Sequence, residues 1–506
     1  MSSTARSQII LTTLNARYMH TAFGLRYLYA NLGELRSTAH IEEFSIQQRP
    51  IDIAEQLLKH RPNIIGFGVY IWNVTEITKT VELLKQISPD TVIVLGGPEV
   101  SHLPDRPAVV DIADYVVMGA AEKSFRDLCR LILSGNRPLQ REIQSIELPL
   151  DQIQMPYRYY TDEDIKNRLI YVEASRGCPF KCEFCLSSLD KTSKPFELSL
   201  FLDEMDNLHR RGARNFKFID RTFNLKVSSS IAILEFFLQR MSDDLYLHFE
   251  VVPDNLPERL KAIIEEFPEH ALQFETGVQT FDEKIQTLIS RKQDNIKTRE
   301  NLHWLRQNTH TYIHADLIFG LPSDTLSNFA KSFDQLVSLR PHEIQLGILK
   351  RLRGAPLNRH NQEYQLRYNP EPPYNILCTR DIDFETMQRV NRFARYWDMI
   401  ANSGRFKNTL PLILRGNPFD NFMRLSDCLY QTAGSTWNIS LRRLFVLLFT
   451  SLVAVDDIDQ DLLLEKIKID YERSGDKSSF ESLLNRGNTV SRAGVANKRQ
   501  QKMLEA

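Results

Sequence analysis

Two stretches of the chain share one rhythm. Through residues 8–134, apolar or β-branched runs at 8–12, 41–45, 64–69, 91–95 and 115–118 alternate with helical patterns near 21–34, 51–60, 75–88, 102–112 and 121–134. Such strand–helix alternation argues for a parallel sheet covered on both faces. Five units suffice for a flavodoxin-like (Rossmann-like) α/β domain. The rhythm restarts with strands at 169–173, 215–220, 247–251, 272–276, 312–319 and 343–348, separated by helical patterns near 197–211, 227–241, 256–267, 281–290, 295–307 and 324–339. Six units predict a partial (β/α)6, TIM-like barrel that curls without having to close. Between the two stretches, 136–165 carries Pro138, Pro149, Pro156 and the aromatics Tyr157, Tyr159 and Tyr160, and reads as an extended connector. Beyond 350 the alternation stops, and helical patterns near 383–402, 419–432, 440–455 and 460–473 predict a helical C-terminal domain. The expected division is therefore 1–135, a linker at 136–165, a barrel at 166–350, a helical domain at 351–482 and a disordered polar tail at 483–506.

Composition narrows the picture only a little. The 506 residues are 42% hydrophobic and 25% charged, as in ordinary globular chains. A formal net charge of −1 gives no basic character that would call for nucleic acid. No positive stretch followed by an apolar core opens the chain, so no signal peptide is expected. The longest apolar run, 444–455, is too short for a membrane span and reads as a buried helix. Of the six Cys, Cys129, Cys378 and Cys428 stand alone and read as small buried apolar residues rather than as a disulfide framework.

The other three are concentrated in Glu173-Ala-Ser-Arg-Gly-Cys178-Pro-Phe-Lys-Cys182-Glu-Phe-Cys185, spaced C-x3-C-x2-C. A loop of this length can place three thiolates on three corners of a cubane iron–sulfur cluster, which ordinarily takes four Cys. With no fourth Cys nearby, one iron is left open to a chelating substrate. A zinc knuckle is the alternative, but it needs a second Cys or His pair close by, and none follows Cys185 at that spacing. At these residues the chain resembles the radical S-adenosylmethionine (SAM) enzymes, whose three Cys hold a [4Fe–4S] cluster. The aromatic Phe184 before the last Cys and the Gly177-Cys178-Pro179 entrance add to the likeness.

The barrel strands carry charged and polar residues where burial would be costly without a partner or ligand. They are Asp220 and Arg221 after the second strand, His248 and Glu250 on the third, Gln273 and Glu275 on the fourth with Gln279 beyond, and His314 and Asp316 on the fifth. Any one of them can instead point outward or pair with a neighbour. The resemblance implies that Glu250 and Glu275 bind the ribose or amino group of SAM, with Phe184, Asp220, Arg221, Gln279, Asp316 and Gly320 close to it. Glu275-Thr-Gly-Val-Gln279 and Asp316-Leu-Ile-Phe-Gly320-Leu-Pro look like strands of coproporphyrinogen-type radical SAM enzymes. A glycine-rich stretch common under the methionyl amine is absent at Asp220-Arg221.

Small residues also mark the strand ends of the first domain: Asn15, Tyr70, Gly96-Gly97-Pro98-Glu99 and Gly119-Ala-Ala-Glu122. Paired glycines let a backbone approach a large ligand, though Gly96-Gly97 can equally make only a tight turn. The arrangement resembles the cobalamin-binding domain that precedes the barrel in one radical SAM subclass, and the resemblance implies that Asn15, Tyr70, Gly96, Gly97, Pro98, Glu99, Gly119 and Glu122 contact cobalamin. The D-x-H-x-x-G motif that supplies a cobalt-ligating His in many such domains is absent. His20, at the wrong spacing, reads as structural.

The resemblance implies a radical SAM enzyme. An electron donor such as a flavodoxin or ferredoxin reduces the cluster held by Cys178, Cys182 and Cys185, SAM is cleaved to a 5′-deoxyadenosyl radical, and cobalamin carries a methyl group to an unactivated carbon of an organic substrate. Cyclisation or rearrangement is the alternative outcome. A tRNA or protein methylthiotransferase, needing a second Cys-bound cluster, and a non-catalytic sensor fit less well. An oxygen-sensitive cluster points to the reducing cytoplasm.

Overall fold

The computed structural model describes residues 8–102, 105–455, 458–476 and 478–487. Chain contacts divide it into one compact unit ending at Phe384 and a second beginning at Glu385.

The first unit opens with six parallel strands, β1 (Ile9–Asn15), β2 (Ala39–Ser45), β3 (Ile64–Gly68), β4 (Val92–Gly96), β5 (Tyr115–Met118) and β6 (Glu142–Gln144), in the order β2-β1-β3-β4-β5-β6. The first five follow the flavodoxin-like order. Strand β1 is buried throughout, and its successive side chains feed two cores. Ile10 and Leu14 join Ile65, Phe67 and Leu95 under the helices Pro50–Lys59 and Val74–Ile87, whereas Ile9 and Leu11 join Val94, Val117 and Leu128 on the other face. Strand β6 lies inside the expected linker. Its three residues, Glu-Ile-Gln, are too few and too polar to show a strand pattern, yet they extend the sheet through the register Val116↔Glu142. Of the helix expected at 102–112 only Val109–Ile112 is helical, and 103–104 lie outside the described residues.

The connector runs over the surface at Leu139 and Ile146 but is anchored in the interior further on. Tyr157 and Tyr160 are fully buried and donate hydrogen bonds to the carbonyls of Glu173 and Tyr171. Beside them Arg26 bridges Glu43 and Asp164, each at 2.7 Å, and Arg168 reaches the same two carboxylates at 3.0 and 2.8 Å. Asp164 also completes the capping box of helix Asp162–Asn167 with Thr161.

The second sheet contains β7 (Ile170–Val172), β8 (Asn215–Phe218), β9 (Tyr246–Val251), β10 (Leu272–Gln279), β11 (Tyr312–Phe319) and β12 (Glu343–Ile348). They are parallel, lie side by side in sequence order, and leave β7 and β12 as edges, so the barrel is open. Period-two alternation sorts their side chains. Along β10, Leu272, Phe274, Thr276 and Val278 are buried, while Gln273, Glu275 and Gln279 face a wetter interior; β11 does the same with Ile313, Ala315, Leu317 and Phe319 against His314 and Asp316.

Residues 351–378 do not begin a helical domain. They form a 3-10 turn at Pro356–His360 and the antiparallel pair Arg367–Tyr368 and Ile376–Cys378, and belong to the first unit. Their arginines pair with carboxylates of the α/β domain and of the cysteine loop. Arg353 meets Glu99 at 2.7 Å and also pairs with Asp105.

The second unit is helical, with Phe384–Trp397, Pro418–Ala433, Leu441–Val455, Gln460–Arg473 and Phe480–Gly487 as its main helices. One core gathers Phe393, Trp397, Phe419 and Phe422, another Phe445, Tyr471 and Phe480. Of the tail expected at 483–506, residues 483–487 close the last helix and 488–506 lie outside the described residues. Cys129 is buried as expected, but Cys378 and Cys428 are only half-buried. Among the described residues, no helix is long and apolar enough to cross a membrane.

Arg26 is 3% exposed between two carboxylates. Replacing Arg26 with Ala strands buried charge and is expected to cost on the order of 3–5 kcal/mol. Thermal unfolding of the purified chain checks this, and an unchanged midpoint contradicts it.

Candidate functional site

Two cavities are lined in part by β7 and the loop that follows it. The loop is framed by a short antiparallel pair, Ser175–Arg176 against Lys194–Pro195. Gly177, at φ +88°, enters it where a Cβ would lie 2.2 Å from the Thr192 carbonyl oxygen, so no other residue fits the turn. Three buried carboxylates hold the loop. Asp220 accepts from the Ala174 amide at 2.9 Å and the Ser175 hydroxyl at 2.6 Å, and burial pushes its carboxyl up to about 7. Glu173 holds Arg176 at 2.8 Å, and Arg176 also meets Glu122 of the α/β domain at 2.7 Å and covers the Tyr27 ring at 4.3 Å. Glu183, between the second and third Cys, is 4% exposed; it accepts from the Ser290 hydroxyl at 2.6 Å and Arg359 at 2.9 Å, and lies 3.0 Å from His360 Nε2. Its backbone is pinned as well, donating to Ile289 O and accepting from Leu357 N, each at 3.0 Å.

The smaller cavity, about 270 Å³, brings Cys178, Cys182 and Cys185 together with Phe184, Arg221, Glu250, Glu275, Gln279 and Asp316. Of the residues expected to contact SAM, only Asp220 and Gly320 lie outside it. Asp220 is committed to the loop, and Gly320 donates its amide to the Asp324 carboxylate at 3.3 Å. Sequence reasoning missed Arg291, whose Nη1 stands 3.7 Å from Cys182 Sγ. Nothing in the run Ser290-Arg291-Lys292 distinguishes it from a surface turn; the backbone carbonyl of Gly277, which accepts from it, draws it inward. A bulge between Gly277 and Gln279 aims Gln279 at the cavity, where its buried Oε1 has no hydrogen-bond partner.

Behind these residues the barrel interior is a charged network. Glu275 Oε2 lies 3.0 Å from His248 Nε2 and 3.3 Å from Lys217 Nζ, and Arg221 meets Glu250 at 2.9 Å. His314 stands between Asp316 at 3.3 Å and Glu343 at 3.5 Å. Burial alone would raise the Glu275 carboxyl, but the His248 hydrogen bond and Lys217 outweigh it and hold it at about 2. Burial raises Glu250 and Asp316 instead, against the pull of Arg221 and His314. Three thiols and a nearby guanidinium make a donor set that fits a [4Fe–4S] cluster, and the orphaned Gln279 Oε1 beside ionised Glu275 fits a cationic polar ligand such as SAM.

The larger cavity, about 740 Å³, opens beyond the carboxyl ends of β1, β3, β4 and β5 and is closed by Tyr171, Glu173, Arg176 and Ile219 of the barrel. Its lining includes the expected Asn15, Tyr70, Gly96, Gly97, Gly119 and Glu122. Pro98 and Glu99 are not among the lining residues: Pro98 opens a 3-10 turn, and Glu99 is 4% exposed, bound to Arg353 at 2.7 Å and the Tyr374 hydroxyl at 2.9 Å. At Gly97, φ is +104° and a Cβ would lie 2.5 Å from the Val69 carbonyl oxygen, so this glycine serves both the turn and the cavity wall. Tyr70 and Trp72 stack at 4.5 Å, held by Asn73, whose side chain accepts from the Tyr70 amide at 2.8 Å. His20, read from the sequence as structural, is held by the barrel. It lines the cavity with Nδ1 2.8 Å from the Tyr171 hydroxyl, and burial lowers its pKa, keeping the ring neutral. The glycine cradle, aromatic pair and volume fit a large planar cofactor such as cobalamin.

Residues 9–129 match the B12 binding domain family, 172–336 the radical SAM superfamily and 362–505 a protein family of unknown function (DUF4080). The chain is 25% identical over 375 residues to the cobalamin-dependent radical SAM methyltransferase TokK of Streptomyces tokunonensis; the match covers 65% of this chain and 53% of TokK, so the chain spans about half the length of that relative. It is 24% identical over 344 residues to an uncharacterized methyltransferase of Pyrococcus horikoshii, covering 62% of this chain and 73% of that protein. Its fold is similar to that of the radical SAM methyltransferase TsrM from Kitasatospora setae, solved with tryptophan substrate and the SAM analog aza-SAM, with a TM-score of 0.59, 17% identity, and coverage of 72% of this chain and 79% of TsrM.

Replacing Glu183 with Ala frees the cluster loop on one side, and iron and sulfide retained after anaerobic reconstitution are expected to fall several-fold with the circular dichroism spectrum preserved; full retention contradicts this. The folded pKa of Glu275, about 2, lies below its ordinary 4.5, so its stabilising contribution is complete above pH 4.5 and is lost as pH falls toward 2. Acid unfolding of Glu275→Gln should therefore be shallower than wild type between those values, and superimposable curves would exclude the effect.

Proposed function

We propose that this chain, a radical SAM protein with an amino-terminal B12-binding domain, is a cobalamin-dependent methyltransferase that uses SAM to methylate an unactivated carbon of an organic substrate. The observation that carries the reading is that one stretch serves both cavities. Tyr171, Glu173 and Arg176 wall the larger one, and Cys178, Cys182 and Cys185 line the smaller. In the bound state, the cluster supplies the electron that cleaves SAM and cobalamin supplies the methyl carrier.

The chain's own residues hold, orient and shield. The three Cys hold the cluster, and Arg291 beside Cys182 offsets its negative charge. Ionised Glu275 and the Glu250–Arg221 pair supply the charges that orient the amino, carboxylate and sulfonium groups of SAM, with Gln279 as an acceptor. Tyr70, Trp72 and the glycine cradle of the α/β domain would hold the corrinoid. Neutral His20, fixed by Tyr171, stands between that cavity and the barrel without the spacing of a family cobalt ligand. In this reading the cofactor domain is residues 1–135, the strap 136–165 and the barrel 166–350, with 351–384 locking the two together and the helical domain following. The reductant is a flavodoxin or ferredoxin, and the setting is the reducing cytoplasm.

Anaerobic protein reconstituted with cobalamin, reduced by a low-potential chemical reductant and given SAM bearing a labelled methyl group should pass the label to the protein-bound corrinoid and release S-adenosylhomocysteine, both read by mass spectrometry. SAM cleavage without label on a retained corrinoid would overturn the methyltransferase reading. Gly96→Leu places bulk in the cavity wall, where a Cβ meets only the Val117 carbonyl oxygen at 3.6 Å. It is expected to lower corrinoid retention by about tenfold, a loss on the order of 1.4 kcal/mol, while leaving iron content unchanged.

A further inference from the structure

Among the described residues, a set of metal-ligating side chains outside the two cavities lies on the edge of the first sheet, toward the amino-terminal ends of its strands. His40 and Glu42 occupy alternate positions of edge strand β2 and so share a face. The helix Pro50–Lys59 packs on the sheet through Ile53, Ala54 and Leu57 and ends at His60, whose amide donates to Leu57 O at 3.3 Å. That ending brings His60 Nε2 to 3.1 Å from Glu42 Oε2 and its ring to 5.2 Å from that of His40. One ring nitrogen of each His and a carboxylate oxygen of Glu42 all lie within 4.8 Å of one another. Ligands of a tetrahedral zinc ion stand roughly 3.3 Å apart, given Zn–N bonds of about 2.0 Å, so small rotamer adjustments bring the three donors to bonding positions.

We propose that His40, Glu42 and His60 form a binding site for a divalent transition cation of the zinc class, separate from the cluster and corrinoid sites and independent of the function proposed above. Two imidazoles and one carboxylate are borderline donors that suit zinc better than magnesium or calcium. Glu42 Oε2 is shut off from solvent and accepts no hydrogen bond in good geometry, which leaves its lone pairs for a cation. His40 is exposed, giving the ion a way in and leaving a fourth position to water. The bound ion ties the edge strand to the end of its covering helix.

The test uses the full chain with its cluster reconstituted, so that the three Cys are occupied. Zinc is titrated against a competing chelator in wild type, H40A, E42Q and H60A, with bound zinc counted by elemental analysis. One zinc per chain beyond the iron, weakened at least about tenfold in each variant, is the expected result. Cobalt in its place should give the visible bands of a four-coordinate site, and zinc should raise the unfolding midpoint of wild type but not of the variants. E42Q keeps the shape of the side chain and decides the matter where a His variant is unstable. Equal zinc uptake by wild type and E42Q, or no zinc beyond the cluster region, would overturn the site.

Discussion

A loop that presents three sulfur donors is useful only if it cannot relax, and here buried ion pairs hold it. Glu183, set among the cysteines themselves, is gripped by Ser290, Arg359 and His360 from the barrel and from the segment beyond it. Arg176, at the loop entrance, is gripped by Glu173 and by Glu122 of the α/β domain. A buried carboxylate without partners is strongly destabilising, so each clamp is all or nothing, and the position of the loop depends on three separate parts of the first unit. Of these anchors, Glu122, Glu173 and Arg176 also wall the larger cavity. Burial of charge near the site thus has a consequence beyond stability: it fixes the loop that borders both cavities.

Much of this was legible in the sequence because parallel strands buried on both faces leave long apolar runs, and because lumen-facing polar residues interrupt them at period two. Glu250, Glu275 and Asp316 stand out for that reason, and all three line the cluster cavity. Polar residues serving architecture look the same in one dimension. Asp220 and Glu99 sit at strand ends as ligand contacts would, but one fastens the loop and the other receives Arg353 from 254 residues away. Sequence distance hides such partners. It hid Arg291 and the clamp on Glu183 as well, since nothing local marks Arg359-His360 as the counterpart of a glutamate in the cysteine motif. Strand β6 escaped for a different reason: an edge strand needs only backbone pairing and leaves no apolar trace.

The segment at 351–384 shows how a boundary drawn from secondary structure alone can misplace a domain. Its lack of strand–helix alternation separates it from the barrel on paper, yet its arginines and Tyr374 are bound to Glu99 and Glu183 and place it within the first unit. Helical structure begins only at Phe384.

The central claim is that three cysteine sulfurs leave one iron of the cluster for SAM. Electron paramagnetic resonance of the reduced, reconstituted protein with SAM labelled by nitrogen-15 or oxygen-17 in its methionyl group tests it directly. The account predicts hyperfine coupling from the label to the cluster, lost in Cys182→Ala. A spectrum that SAM leaves unchanged, with all four irons carrying protein ligands, would contradict it.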